Sequence, residues 1–395
     1  MIAGTALIIA ELNAPFQVAT VELDVLRLNE VLVQMKASSI CATDVKAQQG
    51  KFPVPLPAVV GHEVEGAGVV LETGSDVTHV SPGDHVVLSY NYCGRCRHCE
   101  GGHMYHCAQI SSLNFGGSRP DGTKPITWNG TSVSSCFFGQ SSFSNPAVVA
   151  AASCVKIDKS LDFVVACSLG CGIQTGAGAI INLVKPVERR TQNLLIFGMG
   201  SVGCAAVMAA NVMKLENLGV LSRIIVVDVN DERLKVAKEL GATHILNSAT
   251  SNVEKILLEL TDNEGVDVAV DCTGVLSVIN QMIESIAPGS IAVTVGGTSH
   301  GQKASVNIHN FISKCGTYTA CHQGNANSRE VGLEYFNYDT TMLIDRKFIP
   351  YLSDLYQKGM FPLDKLQKKY KPEDINQAIA DMASGKVFKP VLMWE

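Results

Sequence analysis

The stretch Leu194-Leu195-Ile196-Phe197-Gly198-Met199-Gly200-Ser201-Val202-Gly203 decides the reading of this chain. Four apolar residues run directly into a G-x-G-x-x-G pattern, and Val202, Ala205, Ala206, Ala209 and Met213 follow at helical spacing. Alone the glycine pattern is weak, because Gly-rich turns occur in any fold. Between a strand and a helix it is the turn that brings backbone N–H groups onto a pyrophosphate at a helix N-terminus. The next apolar run, Ile224-Ile225-Val226-Val227, ends in Asp228, an acid placed to accept hydrogen bonds from an adenosine ribose. Motif to acid is longer than the usual roughly twenty residues, and a longer helix and loop over Asn211 to Leu221 would account for it. The bland alternative is a glycine turn followed by a surface Asp.

Outward from this motif the texture keeps alternating. Asp231 to Leu240 reads as a helix, Val266 to Val270 as a strand, a further helix follows, and Ile291 to Val295 is again a strand. Such alternation predicts a doubly wound parallel sheet with crossover helices. Upstream, residues 1 to about 170 carry short β-rich segments cut by Gly and Pro, as in Pro82-Gly83-Asp84-His85-Val86-Val87, and read as an irregular, mostly antiparallel domain. Downstream, Tyr351 to Lys358 and Asp374 to Ser384 are helical in character, and Val391 to Trp394 reads as a strand able to return to the first domain.

Composition agrees with two globular domains. The chain has 395 residues, 46% hydrophobic and 17% charged, too long for one ordinary core. No run of about eighteen apolar residues could span a bilayer, and the apolar residues 1 to 10 lack a preceding Lys or Arg, so neither membrane nor export is expected and the cytoplasm is the default. A net charge of −6 with scattered Lys and Arg gives no footprint for nucleic acid. Thirteen cysteines, an odd count in a long chain, point to reduced thiols and metal ligation rather than disulfides.

Cys93, Cys96, Cys99 and Cys107 form C-x2-C-x2-C-x7-C, dense enough to close a tetrahedron around one ion. Four sulfurs leave no position for water, so this metal is expected to be structural. His98, His103 and His106 lie close by, and one of them could replace a thiolate. Cys41, His62 and Cys171 also stand out, yet spacing alone does not unite them: a single Cys is more often a small core residue.

With these segments in order, the chain resembles the zinc-dependent medium-chain alcohol dehydrogenases over essentially its whole length. Gly61-His62-Glu63-Val64-Glu65-Gly66-Ala67-Gly68 resembles that family's zinc signature, the four-cysteine lobe follows, and Leu169-Gly170-Cys171-Gly172 precedes the coenzyme fold. The resemblance implies a two-domain α/β fold: a GroES-like β-rich catalytic domain, 1–172 with 321–395, and a Rossmann NAD-binding domain, 173–320. It implies two zinc ions per chain and NAD. Cys41, His62 and Cys171 would ligate a catalytic zinc with an open fourth position, while Cys93, Cys96, Cys99 and Cys107 hold the structural one. Glu63 would lie behind the metal, Asp44 would hold the His62 ring through its second nitrogen, and Thr43 would accept the alcohol proton. Gly198, Gly200, Ser201, Val202, Gly203, Asp228, Arg233, Thr175, Val295 and Lys389 would contact the coenzyme, Lys389 at its phosphates unless it is simply solvated.

Two departures stand against the liver-type enzymes, which carry an Arg after the first zinc cysteine and a His at the outer end of the proton relay. Here the residues are Ala42 and Lys46. The Ala42 position and the run Val86 to Cys93 look more like the benzyl or aryl alcohol branch, with Tyr90 and Phe115 as pocket candidates for an aromatic or allylic primary alcohol. A glutathione-adduct (formaldehyde) dehydrogenase and a biosynthetic carbonyl reductase are the enzymatic alternatives; a zinc-stabilised binding protein is the non-enzymatic one. The resemblance further implies a homodimer, with a tetramer as alternative, paired through the strand near Ile291 to Val295.

Overall fold

A computed structural model describes residues 2–62, 66–299, 301–328 and 348–395, and Glu63, expected behind the metal, lies outside them. The chain divides into two compact units. One comprises Met1–Cys171, Ala326–Tyr356 and Leu363–Glu395; the other comprises Gly172–Asn325 and Gln357–Pro362. The second unit thus runs past position 320, because Cys321 N–H still bonds Thr294 O at 2.9 Å and extends the ladder of the last strand.

The first unit is built on two sheets of short strands. One is six-stranded and centres on Ile2–Ile9 and Gln17–Leu23, paired antiparallel. The other is seven-stranded and centres on the long strand Glu30–Ser39. The C-terminal strand Lys389–Met393 pairs antiparallel with that long strand, Val391 opposite Ser39, so the tail does return to this unit. It also pairs in parallel with Gln367–Tyr370, an exception in an otherwise antiparallel pair of sheets. Alternating apolar positions, Leu7, Ile9, Val21, Leu23, Val31, Val33 and Met35 among them, close the core of this unit.

The second unit is a single parallel sheet of six strands. In chain order they are Asn193–Phe197, Arg223–Asp228, His244–Asn247, Val266–Asp271, Ile286–Thr294 and Thr317–Ala320, and across the sheet they run 3-2-1-4-5-6. This is the doubly wound dinucleotide-fold order, with the order of strand addition switching sides between the first and fourth strands. The 16-residue helix Ser201–Glu216 explains the long interval between the glycine turn and Asp228. One expectation needs correcting. The strand around Ile291 is not an edge: it is paired with Val266–Asp271 on one side and Thr317–Ala320 on the other. Among the described residues the sheet ends on Thr317–Ala320 on this side and on His244–Asn247 on the other, because the chain supplies a sixth strand after the helix Ile308–Ser313. No helix among the described residues is long and apolar enough to cross a membrane.

Candidate active site and metal centres

Cys41 stands two residues past the long central strand and caps the helix Ala42–Gln48. Asp44, one turn in and fully buried, reaches back: its carboxylate accepts from Cys41 N–H at 3.1 Å and from Gly61 N–H at 3.1 Å. The same carboxylate meets His62 Nδ1 at 2.7 Å, so the helix start and the opening residues of the zinc signature are tied by one side chain. His62 is fully buried, and with Nδ1 committed to Asp44 the ring can offer only Nε2 to a metal. Cys171 arrives from the π-helical turn Leu169–Ile173 with its Sγ 3.9 Å from Cys41 Sγ. The ligand atoms of Cys41, His62 and Cys171 all lie within 4.8 Å of one another. A tetrahedron with metal–sulfur bonds of about 2.3 Å has sulfur–sulfur edges of about 3.8 Å, so the cysteine pair fits one edge.

The electrostatics favour a cation here. The hydrogen bond from Cys171 holds the Cys41 thiol well below its ordinary value; burial opposes this, and charge on His62 and Lys389 adds to it. Burial pushes the Asp44 carboxyl up against the pull of His62. Lys389, expected at a phosphate or in solvent, is only 2% exposed and acts on Cys41 within the first unit. The solvated alternative is therefore wrong, because the strand it opens is locked between two neighbours. Thr43 is half-buried with Oγ1 3.9 Å from Cys41 Sγ.

The second cluster is closed. The sulfurs of Cys93, Cys96, Cys99 and Cys107 lie within 4.8 Å of one another, with Cys96 to Cys99 at 3.6 Å and Cys93 to Cys99 at 4.0 Å, again tetrahedral edges. Backbone N–H groups of Cys93 and Gln109 point at Cys107 Sγ, and that of Ala108 at Cys96 Sγ. The Ala108 and Cys99 amides hold Cys96 down to about 6, whereas burial pushes Cys99 up to about 12. A dication at their centre would hold all four as thiolates and leave no position for water. The three histidines do not join: His103 Nδ1 pairs with Tyr105 Oη at 2.9 Å, and neither His98 nor His106 falls within the cluster.

At the carboxyl end of the parallel sheet, Gly198 to Gly203 form the turn that opens the helix Ser201–Glu216. A Cβ on Gly203 would stand 1.8 Å from Gly198 O, so strand and helix can meet only through glycine there; a Cβ on Gly200 would meet nothing within 4 Å, leaving open space over the helix N-terminus where a pyrophosphate fits. Asp228 is 8% exposed, and its carboxylate accepts from Met199 N–H at 2.7 Å and Asn230 N–H at 3.0 Å, which fixes the acid against the glycine turn. Arg233 lies on the helix that Asn230 caps, and its charge is felt at Cys204 on the helix after the turn. Val295 follows its strand with N–H on Asp271 O at 2.9 Å, and Thr175 is half-buried on the helix Gln174–Gly178.

Sequence reasoning missed an aromatic wall. Phe137 and Phe138 pack against the His62 ring with centroids 5.3 and 4.7 Å away, and Phe115 meets Phe138 at 4.9 Å while stacking on Phe52 at 5.6 Å. Left-handed backbone at Cys136 (φ 60°), Phe138 (φ 54°) and Ser141 (φ 52°) turns these rings inward, a strained loop with no periodic signature. Of the two pocket candidates, Phe115 is a half-buried member of this ring cluster, and Tyr90 lies with Tyr92 at 6.1 Å instead. It is 1% exposed core whose hydroxyl donates to Ala326 O at 2.8 Å, since the end of its strand turns into the first unit's interior.

A three-ligand metal site in one unit and a dinucleotide-type parallel sheet in the other, within one chain, define a metal-binding dehydrogenase class. Family models agree: the alcohol dehydrogenase GroES-like domain matches residues 27–159 and the zinc-binding dehydrogenase domain residues 201–335. A geraniol dehydrogenase of Castellaniella defragrans is 34% identical over 394 residues, covering 100% of this chain and 98% of its own. Two crystal structures superpose closely. An alcohol dehydrogenase zinc-binding domain protein from Burkholderia ambifaria has TM-score 0.89 at 37% identity, covering 100% and 99% of the two chains. Benzyl alcohol dehydrogenase from Acinetobacter calcoaceticus has TM-score 0.88 at 34% identity, covering 100% of both. The chain belongs to the zinc-dependent medium-chain alcohol dehydrogenase family and is an alcohol oxidoreductase.

Proposed function

We propose that the protein oxidises an aromatic or allylic primary alcohol reversibly to its aldehyde, with NAD as coenzyme and two zinc ions per chain. The observation that carries the reading is the convergence of Cys41, His62 and Cys171 within 4.8 Å, with Asp44 holding His62 from behind. Three ligands leave a fourth position, whereas the four-cysteine cluster leaves none. A zinc ion at the open site supplies Lewis acidity toward the alcohol oxygen, and the dinucleotide supplies the hydride acceptor.

The chain's own residues do the rest. Thr43, one residue past the helix start and within 3.9 Å of Cys41 Sγ, would take the alcohol proton. Phe138, Phe115 and Phe137 form an apolar, water-excluding wall beside His62, suited to the flat face of a benzylic or allylic substrate. Relatives named for geraniol and benzyl alcohol support that choice. Asp228 would accept from the adenosine ribose and oppose a 2′-phosphate. Thirteen cysteines, six of them grouped as metal ligands and none in a disulfide among the described residues, support residence in a reducing cytoplasm. Thr317–Ala320, an edge of the sheet among the described residues with Thr317 and Tyr318 exposed, supports a homodimer by strand pairing. The test is a screen of aliphatic, benzylic and terpenoid alcohols by NADH absorbance on metal-analysed protein. About two zinc ions and a benzylic or allylic preference are expected; one ion or none in active protein, or a clear preference for short aliphatic alcohols, overturns the reading.

A further inference from the structure

The short helix Gln174–Gly178 packs on the helix Ser201–Glu216 with almost no side chain between them. A Cβ built on Gly176 would stand 2.0 Å from the carbonyl oxygen of Val202 and 2.9 Å from Ala205 Cβ. The obstructing atom is backbone in the first turn after the glycine motif, so it cannot rotate away. Relief to ordinary contact at 3.4 Å needs a separation of about 1.4 Å (3.4 − 2.0). The short helix cannot retreat to the other side. There, a Cβ on Gly178 would stand 2.2 Å from Gly324 O, and Asn182 Nδ2 bonds that same oxygen at 2.9 Å.

We infer that Gly176 is a positioning residue for the dinucleotide, setting the depth at which Thr175 and the first turn at Ser201–Gly203 face the same ligand. The inference rests on the dinucleotide reading above. A helix N-terminus grips phosphate through N–H···O bonds that tolerate only a few tenths of an ångström, and a misplacement of about 1 Å can weaken such a function by about a hundredfold. Because Ala is the better helix former, any loss at Gly176 must come from the forced displacement and not from propensity.

Gly178 is the matched control: same helix, same substitution, a similar backbone clash, but one that pushes on the turn Gln323–Asn325 instead of Val202. In NADH fluorescence titrations of the zinc-replete full chain, Gly176→Ala is expected to raise Kd at least tenfold. Gly178→Ala should stay within about twofold of wild type at a comparable fall in Tm. Equal weakening in both overturns the inference and leaves dinucleotide binding standing; wild-type protein that binds neither NADH nor NADPH overturns both. Should Gly176→Ala fail to fold, Gly172→Ala tests the same face more gently, since its Cβ meets the Ser201 hydroxyl at 2.7 Å. Adding Ser201→Ala removes that atom, so the double variant should bind NADH as Ser201→Ala alone does. Failure of that rescue overturns the inference.

Discussion

The Asp44 carboxylate and the His62 imidazole, both wholly buried, are 2.7 Å apart. That bond fixes the ring orientation and leaves Nε2 as the nitrogen available to a metal. Outer partners of this kind are typically worth about 10- to 100-fold in metal affinity. Asp44→Asn should therefore weaken zinc at the Cys41, His62 and Cys171 site by that factor, read by competition with a chromophoric chelator. An unchanged affinity would assign Asp44 to the helix cap alone.

The two clusters should separate by phenotype. Cys171→Ser is expected to abolish turnover with little change in Tm, whereas Cys99→Ser should open the lobe and lower Tm. A loss of about 3 kcal/mol corresponds to roughly 6–12 °C. Comparable Tm losses in the two variants would refute the division.

Phe138, 4.7 Å from the His62 ring centroid, should matter most for flat substrates. Truncation to Ala removes an aromatic contact worth about 0.5–1.5 kcal/mol beyond its area. kcat/KM for benzyl alcohol is expected to fall about tenfold, with a smaller change for a short aliphatic alcohol. A uniform loss across both substrates would make Phe138 a packing residue.

Asp228 accepts from Met199 N–H in the glycine turn, so with NAD bound as proposed its charge would oppose a 2′-phosphate. Like charges about 4 Å apart at an effective dielectric near 20 repel by about 4 kcal/mol before screening. NAD should be preferred at least tenfold, and Asp228→Asn should narrow that preference mainly through coenzyme affinity. Wild-type preference for NADP would transfer control to Arg233.

Arg119, 4% exposed at its side chain, bonds Glu30 at 2.7 Å and Asp24 at 2.7 Å. Breaking such a buried pair typically costs about 3–5 kcal/mol, so Arg119→Ala should shift the urea midpoint strongly. The Arg119 hydrogen bond holds the Asp24 carboxyl below its ordinary value of 3.8; Lys156 does the same for Asp84, and Tyr370 takes Asp381 to about 2. Depressed folded values mean stability that is present above about pH 4 and lost as pH falls toward 2. Tm should be flat on this account from neutrality to about pH 5 and fall below it; a rise on acidification would contradict the assignment.

Cys93 to Cys107 span fifteen residues, and Leu194 to Gly203 is one strand and one turn. Ligand geometry and the strand–turn–helix transition are local there, so spacing and residue type determined the four-sulfur cluster and the glycine turn without reference to the rest of the chain, and the repeated alternation after them pointed to the parallel sheet. Cys171 stands 130 positions from Cys41. No periodicity connects such residues, and in the sequence only the family resemblance joined them; a sheet register, a capping carboxylate and a π-helical turn bring their ligand atoms together in space. The same holds for Phe138, turned toward His62 by left-handed backbone, for Lys389, buried by strands on both sides, and for Tyr90, whose pocket or core fate depends on which way its strand end turns. Local chemistry is written in neighbouring residues, but burial and long-range convergence are properties of packing, decided only when distant segments compete for the same interior.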